Sequence, residues 1–473
     1  MVNQIKLIEL FEKWANEKSI SFNPLPLSGS MRRYFRIESK NKSALAVYNP
    51  DKRENRAFIY LAKHFSKYEL NVPKIYAQNL KENNYLIEDL GNQTLYSLIS
   101  STGNNFAATI HLIKNALSQL PRFQISASRE LDYSVCYPRA AFDKQSIMWD
   151  LNYFKYYFLK LTGINFDEQE LEADFQNFSN GLMKADKNYF MYRDFNARNI
   201  MIKDGDLYFI DFQGGRKGPL QYDLASFLYS SKLNLAEDLR KDLFEHYISS
   251  LAAHKKIDLR KFKKFYFDFA LVRILQMLGT YGYRGYYEGK AHFLTSIPFA
   301  VKNLKSILDN KKYKIKIPHL IECLTKIIRS DQFSGLNGTS VETKRLNVRI
   351  NSFSYKDKIP FDFTGNGGGF VFDCRSIPNP GRIEEYKTLT GKDELVKKYL
   401  DSQPEAQKFL KDSFDIVEQS VVNYINRGWT NLMVNYGCTG GQHRSVYCAE
   451  SLSSFLKSKY DLEIVLNHTI LNQ

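Results

Sequence analysis

The chain lacks the features that would place it in a membrane, a secreted scaffold or a zinc fold. No apolar run approaches the ~20 residues that cross a bilayer. The opening stretch MVNQIKLIELFEKWANEKS carries charges through its apolar positions, so a soluble chain without a signal segment or membrane partner is expected. The five cysteines, Cys136, Cys323, Cys374, Cys438 and Cys448, are odd in number and show no CxxC spacing. That disfavours a disulfide framework and a zinc site, and it points to a reducing, cytoplasmic compartment. No G-x4-G-K-[ST] phosphate loop, internal repeat or low-complexity tract occurs. Acidic residues are comparatively scarce: 51 against 66 Lys and Arg leave a formal charge of +15. Such a balance suits an anionic partner, yet the basic residues form no dense block, and a solvated basic surface accounts for them equally well.

Apolar and aromatic residues are plentiful, at 44% and 14% of 473 residues. This is material for two or three folded domains and argues against long disordered tracts. Residues 5 to 18 place apolar side chains at helical spacing; MRRYFRIES and SALAVYNP read as a hairpin; a helix follows over Glu54 to Tyr68, then strands KIYAQ and NNYLIED up to Gly91. From Leu95 to Ile327 the pattern is mainly helical, interrupted by the short strands FMYRDF, NIMI and LYFIDF. SDQFSGLNGTSVETKR, Ser330 to Arg345, has linker composition. Beyond it VRINSFSY, GFVFDCRS and NLMVNYG alternate with helical stretches, as in an α/β domain. The expected organisation is a bilobal α+β domain over 1–333, a linker over 334–345 and a separate α/β domain over 346–473.

Tyr192 to Met201, YRDFNARNIM, followed by IDFQ at 210–213, carries the chemistry. Phosphoryl transfer needs an acceptor for the attacking hydroxyl's proton and hard oxygen ligands for magnesium. Asp194 answers the first need. Asn199, five residues on, and Asp211, at the end of the next strand, answer the second. Asp223 is either a third catalytic carboxylate or, opening a helix, a brace for the catalytic loop. Arg273 and Gln276, three apart on one helix face, suit sugar hydroxyls or an acid group, or else tie the helix to its neighbours. The strand ALAVYNP has no Lys where kinases place the one that pairs with nucleotide phosphates and a helix Glu. Lys52, Arg53 or Arg36 could stand in, and Glu54 is either the helix Glu or an ordinary first-turn acid.

These residues, with the hinge-like YLIEDLG at 85–91, resemble the aminoglycoside phosphotransferase-like, protein-kinase-like superfamily. SGSMRRYFRI at 28–37 and LVRILQMLGTYGYRGYYEGKAHFLTSIP at 271–298 resemble its N-acetylmuramate/N-acetylglucosamine anomeric kinases of cell-wall sugar recycling. The resemblance implies ATP and Mg2+ as cofactors and a small sugar as substrate. It also implies nucleotide contacts at Ser28, Gly29 and Ser30 in the phosphate-covering hairpin and at Glu88, Asp89 and Leu90 in the hinge.

In the second domain, Asn431 to Leu456 reads as strand, glycine-bearing turn and helix, a geometry that aims backbone amides and a helix dipole at an anion. Gly437, Gly440 and Gly441 permit the tight path, Ser445 can cap the helix, and His443 and Arg444 add donors. Cys438 and Arg444 also satisfy the C-x5-R spacing of cysteine phosphatases, although no separate general acid is evident. SFSYKDKIP, FVFDCRSIPNP, LTGKD, QPE and GCTGGQHRSV resemble the C-terminal domain of the RNase adapter protein RapZ. That resemblance implies an amino-sugar phosphate effector and RNA as partners, with Thr439, Gly440, His443 and Arg444 in the pocket beside Cys438 and Gly441, and Asp373 and Arg375 on the facing strand end. The ending LNHTILNQ lacks the family's basic tail, which weakens the RNA expectation. The competing class is a regulatory RNA-binding adaptor whose kinase-like half only binds nucleotide. Limited proteolysis is expected to cut first between Ser330 and Arg345 and to release a first piece that retains phosphoryl transfer; insoluble, inactive pieces would indicate one integrated domain.

Overall fold

The computed structural model describes residues 4–26, 31–103, 105–310, 312–330, 333, 345–360, 362 and 369–471, with Ala291 by its backbone alone. The expected linker therefore lies, apart from Arg345, outside the described residues, as do Ser28, Gly29 and Ser30. Contacts divide the chain into two compact units, residues 1–280 with 299–333, and residues 281–298 with 334–473.

The first unit opens with the helix Gln4–Ala15. Next comes an antiparallel sheet of β1 (Ser21–Pro24), β2 (Arg33–Glu38), β3 (Ser43–Tyr48), β4 (Ile75–Asn79) and β5 (Asn84–Ile87), in the spatial order β1-β2-β3-β5-β4. One face of this sheet is closed by the opening helix: Leu7, Phe11 and Ala15 pack on Phe35, Ile37, Ala44, Ala46 and Leu86. Alternation along β3 sends Leu45 and Val47 to the opposite face. The helix Lys52–Lys67, capped by Asp51, brings Phe58 against Tyr85 there.

Four short strands follow in two pairs. β6 (Tyr189–Met191) pairs antiparallel with β9 (Arg216–Gly218), and β7 (Ile200–Lys203) with β8 (Asp206–Phe209). Asp194 follows β6 and Asp211 follows β8, and this nested pairing brings the two turns together, with Asn199 reaching both. Around them lie helices including Phe106–Pro121, Lys144–Phe154, Leu220–Leu228 and Leu259–Tyr281. Among the described residues no helix is long and apolar enough to cross a membrane.

The second unit is built on a four-stranded parallel sheet: β10 (Asn347–Ser354), β11 (Gly369–Asp373), β12 (Asn431–Cys438) and β13 (Glu463–His468), in the order β11-β12-β10-β13. Val348, Ile350, Val434 and Tyr436 share a core with Val417, Val421, Leu452 and Leu456 of the helices Pro404–Asn426 and Arg444–Lys459. Inside this apolar sheet runs a polar row: Asn351 on β10 is in register with Asn435 and Asn467. Asn467 Nδ2 donates to Asn351 Oδ1 at 3.5 Å, Asn351 Nδ2 to Asn435 Oδ1 at 2.8 Å, and Asn435 Nδ2 to the Phe370 carbonyl at 3.1 Å. Asn351→Ala should leave the buried Asn435 oxygen without its donor and lower stability by about 1–3 kcal/mol. Denaturant unfolding of the variant tests this, and the Asn351→Ala/Asn435→Ala pair should cost less than the two single losses added.

Candidate functional site

The turn after β6 is held from beneath by Asp223, which is fully buried in the helix Leu220–Leu228. Its two oxygens accept from the Tyr192 amide at 2.8 Å, the Arg193 amide at 2.9 Å and Gln124 Nε2 at 3.0 Å. Burial pushes this carboxyl up to about 7 against the pull of those three donors. Asp223 is thus engaged as a brace beneath the loop. Arg193 has φ 78°, a conformation a non-glycine residue adopts only when its surroundings hold it. The hold is a two-pronged ion pair with the buried Asp150, at 2.8 and 2.6 Å, and stacking of the guanidinium over Phe142 and Tyr222. Asp194 follows directly. Its carbonyl accepts from Asn196 Nδ2 at 3.0 Å and Asn199 Nδ2 at 2.9 Å, and its partly exposed carboxylate lies 3.4 Å from Arg273 Nη2.

Asp211 sits at φ 65° directly beyond β8. Gln213 Nε2 donates to its Oδ1 at 2.6 Å, Asn199 Nδ2 to its Oδ2 at 3.3 Å, and Arg32 Nη1 lies 3.8 Å from Oδ1. Nearly half of this side chain is exposed, and it lines a cavity. Surrounding protein and the nearby Asp194 carboxylate push the Asp211 carboxyl up from its ordinary value, with Arg32 and Gln213 opposing them. Asn199 therefore joins both carboxylate turns, through the backbone of one and the side chain of the other.

The cavity has a volume of about 360 Å³. Leu45, Ile87, Leu90, Met201 and Ile210 give it apolar walls, and Arg32, Asn199 and Asp211 line it as well. Of the hinge residues, Leu90 and Glu88 face it, although the Glu88 carboxylate also binds Lys203 Nζ at 2.8 Å. The Asp89 side chain is engaged elsewhere: it takes two hydrogen bonds from Arg36, at 2.5 and 2.9 Å, and one from the Gly91 amide at 3.0 Å. It therefore ties β2 to the hinge.

None of the three cations expected to replace the strand lysine occupies that place. Arg36 is paired with Asp89, Lys52 is exposed, and Arg53 lies over the Tyr137 ring and reaches the Pro138 carbonyl. The cation that lines the cavity beside Asp211 is Arg32. It is 4% exposed, forms an ion pair with Glu54, and donates to Tyr34 Oη at 3.2 Å. Its burial opposes the charge, but Tyr34, Tyr85, Glu54 and Asp211 around it hold it protonated. The sequence signal was faint: a second arginine in MRRYFRI, with nothing to indicate that the first turns inward. Arg273 is also more deeply engaged than its spacing implied, since it donates to Ser226 Oγ at 3.0 Å and to Gln276 Oε1 and reaches Asp194.

In the second unit the strand-loop-helix from β12 lies at the carboxyl ends of the parallel strands, where α/β folds place ligands. Asp373 is in register with Gly437, and Ser354 with Cys438. Thr439 and Gly440 are exposed, and a Cβ on Gly440 would meet open space. Gly441 has φ 70° and donates its amide to Cys438 Sγ at 3.2 Å. The helix Arg444–Lys459 begins without a side-chain cap: the Ser445 hydroxyl lies 3.2 Å from Cys438 Sγ, so the expected Ser445 cap is absent. Arg444 is no open fork either. It is 6% exposed, and its Nη1 donates to the carbonyls of Arg375 and Ile377 at 3.1 and 3.0 Å, while its buried Nε has no partner. His443 Nε2 is 2.8 Å from the Tyr386 carbonyl. Arg375 chelates Asp373 and lies over the Tyr355 ring at 4.2 Å.

Residues 21–259 match the phosphotransferase enzyme family, and residues 346–472 match the RapZ C-terminal domain. A nucleotide-binding protein of Thermoanaerobacter sp. (strain X514) is 39% identical over 145 residues, 31% of this chain and 49% of its own length. Another, from Endomicrobium trichonymphae, is 42% identical over 123 residues, 26% of this chain and 41% of its own. This chain spans about half the length of the curated relatives it matches. Among solved structures, the choline kinase LicA from Streptococcus pneumoniae aligns over 64% of this chain and 100% of its own, at 13% identity and a TM-score of 0.43. Asp150→Ala should strand the Arg193 charge inside the unit and cost about 3–5 kcal/mol, read as a lowered denaturation midpoint. Asp150→Asn, which keeps an acceptor, should cost less.

Proposed function

Since the chain belongs to the phosphotransferase enzyme family and carries a RapZ C-terminal domain, we propose that its first unit transfers the terminal phosphoryl group of ATP to the alcohol of a small hydroxylated substrate. The substrate class we favour is an amino sugar of cell-wall recycling, phosphorylated at its anomeric hydroxyl. One observation carries the reading: the Asp194 and Asp211 turns, from two different strand ends, are both tied to Asn199, which lines the same cavity as Asp211.

Asp194 accepts the proton of the attacking hydroxyl, and Arg273 orients its carboxylate. Asn199 Oδ1 and Asp211 are the groups that would hold Mg2+, which supplies neutralisation of the phosphate charge when bound. Among the described residues no group of three or more His, Cys, Asp and Glu is arranged for a metal. A pair of oxygen donors fits magnesium all the same, because it takes one or two protein carboxylates and completes its shell with phosphates and water. The apolar walls of the cavity suit adenine.

For the second unit we favour binding of a sugar phosphate or a nucleotide-like anion at the loop 437–445. The helix that starts at Arg444 and the unpartnered, buried Arg444 Nε support this reading. A thiol-based phosphatase is favoured by a different observation, the Gly441 amide donating to Cys438 Sγ with the Ser445 hydroxyl 3.2 Å from the same sulfur. The RNA-binding adaptor class rested on the absent strand lysine, and Arg32 at Glu54 removes much of its support.

Screening amino sugars with ATP and detecting phosphorylated products by mass tests the kinase reading. Asp194→Asn should abolish turnover while leaving ATP binding nearly intact, and Asp211→Ala should lose magnesium-dependent nucleotide binding as well. Normal turnover in Asp194→Asn would overturn the assignment. In the second unit Arg444→Ala should lower both stability and sugar-phosphate affinity by calorimetry, because its carbonyl ties hold the loop. Phosphate release that vanishes in Cys438→Ser would replace binding with hydrolysis.

A further inference from the structure

The face of β3 that looks into the cavity has no charge. Leu45 lines the cavity, and Val47, two residues on and therefore on the same face, is fully buried. In kinases a strand lysine on this face pairs with a helix glutamate and contacts the nucleotide phosphates. Here the neighbouring strand carries a cation to the same place. Val47 is in register with Tyr34 of β2, and Arg32, two residues before Tyr34, donates to the Tyr34 hydroxyl at 3.2 Å. Its guanidinium forms an ion pair with Glu54, whose second oxygen accepts from Asn49 Nδ2 at 2.7 Å. On its other side Nη1 lies 3.8 Å from Asp211.

We propose that Arg32 is the phosphate-contacting cation of this enzyme, relocated from the central strand to the residue just before β2, and that Glu54 is its anchor. The proposal rests on the kinase reading above. An arginine is suited to the relocated position because its planar fork can keep Glu54 on one nitrogen while presenting another to a phosphate oxygen. An ammonium offers no such division. The same guanidinium faces Asp211 and gives that carboxylate a counter-charge. Glu54, read from the sequence as either a helix-type partner or an ordinary first-turn acid, takes the former role.

The test is calorimetric titration of the full chain with Mg-ATP and, separately, with adenosine, which fills the same cavity without phosphates. Wild-type protein should bind both. Arg32→Ala should weaken Mg-ATP binding by about 10- to 100-fold, the range for loss of a charged hydrogen bond, and leave adenosine within about twofold. Arg32→Lys should retain more Mg-ATP affinity than Arg32→Ala. Arg32→Ala/Val47→Lys, which returns the cation to the central strand, should recover part of the loss. Mg-ATP affinity unchanged in Arg32→Ala would overturn the proposal, and so would an equal loss for adenosine, since that marks a collapsed cavity. Wild-type protein that binds neither ligand would overturn the kinase reading itself.

Discussion

Asp223 accepts hydrogen bonds from two successive backbone amides, those of Tyr192 and Arg193, and so sets the direction of the chain immediately before Asp194. A carboxylate in this position is expensive to bury, and its upward shift records that. The three hydrogen bonds it accepts offset part of the cost, and they fix the residues that follow. Arg193 can then adopt a left-handed conformation, with Asp150 and two aromatic rings receiving its side chain. Burial and the adjacent Arg193 bring Arg216 down to about 10. Asp194, presented on such a support, has little freedom to change its direction.

Above that support the cleft is organised by two arginines, each facing one carboxylate. Arg273, from a helix late in the unit, faces Asp194; Arg32, just before β2, faces Asp211. Asp194 helps push the Asp211 carboxyl up, and two acidic groups so placed are kept close at less cost when counter-charges are supplied nearby. The chain supplies them from residues far apart in sequence, so correct folding of both parts of the unit is a condition for an ionised cleft.

The residues legible in the sequence were those whose meaning is local. Asp194, Asn199 and Asp211 lie on one strand-turn-strand stretch, and spacing alone placed them. Asp223 was legible as an acid opening a helix, although only the structure decides between its two readings. Arg32 was not legible, because its partners come from 22 residues away and from the turn at Asp211. Arg444 misled in the opposite direction: C-x5-R spacing implies an open fork, whereas the carbonyls of Arg375 and Ile377, nearly seventy residues away, hold one of its nitrogens. Ser445 fell to the same cause, since a nearby thiol competes for its hydroxyl. Local pattern reports what a residue is able to do, and distant neighbours decide how much of that ability is left.

The asparagine row across β13, β10 and β12 gives the second unit something that an apolar sheet cannot provide. Valines and isoleucines tolerate sliding, because one greasy side chain can replace another two positions along. Amides buried in register do not: displacing one strand would leave several strong dipoles facing hydrocarbon. The row works as a set of teeth that lets the strands mesh at a single offset. It thereby sets the height at which Cys438, Ser354 and Asp373 emerge at the carboxyl ends of the strands, so the loop that follows β12 inherits its alignment from amides inside the sheet.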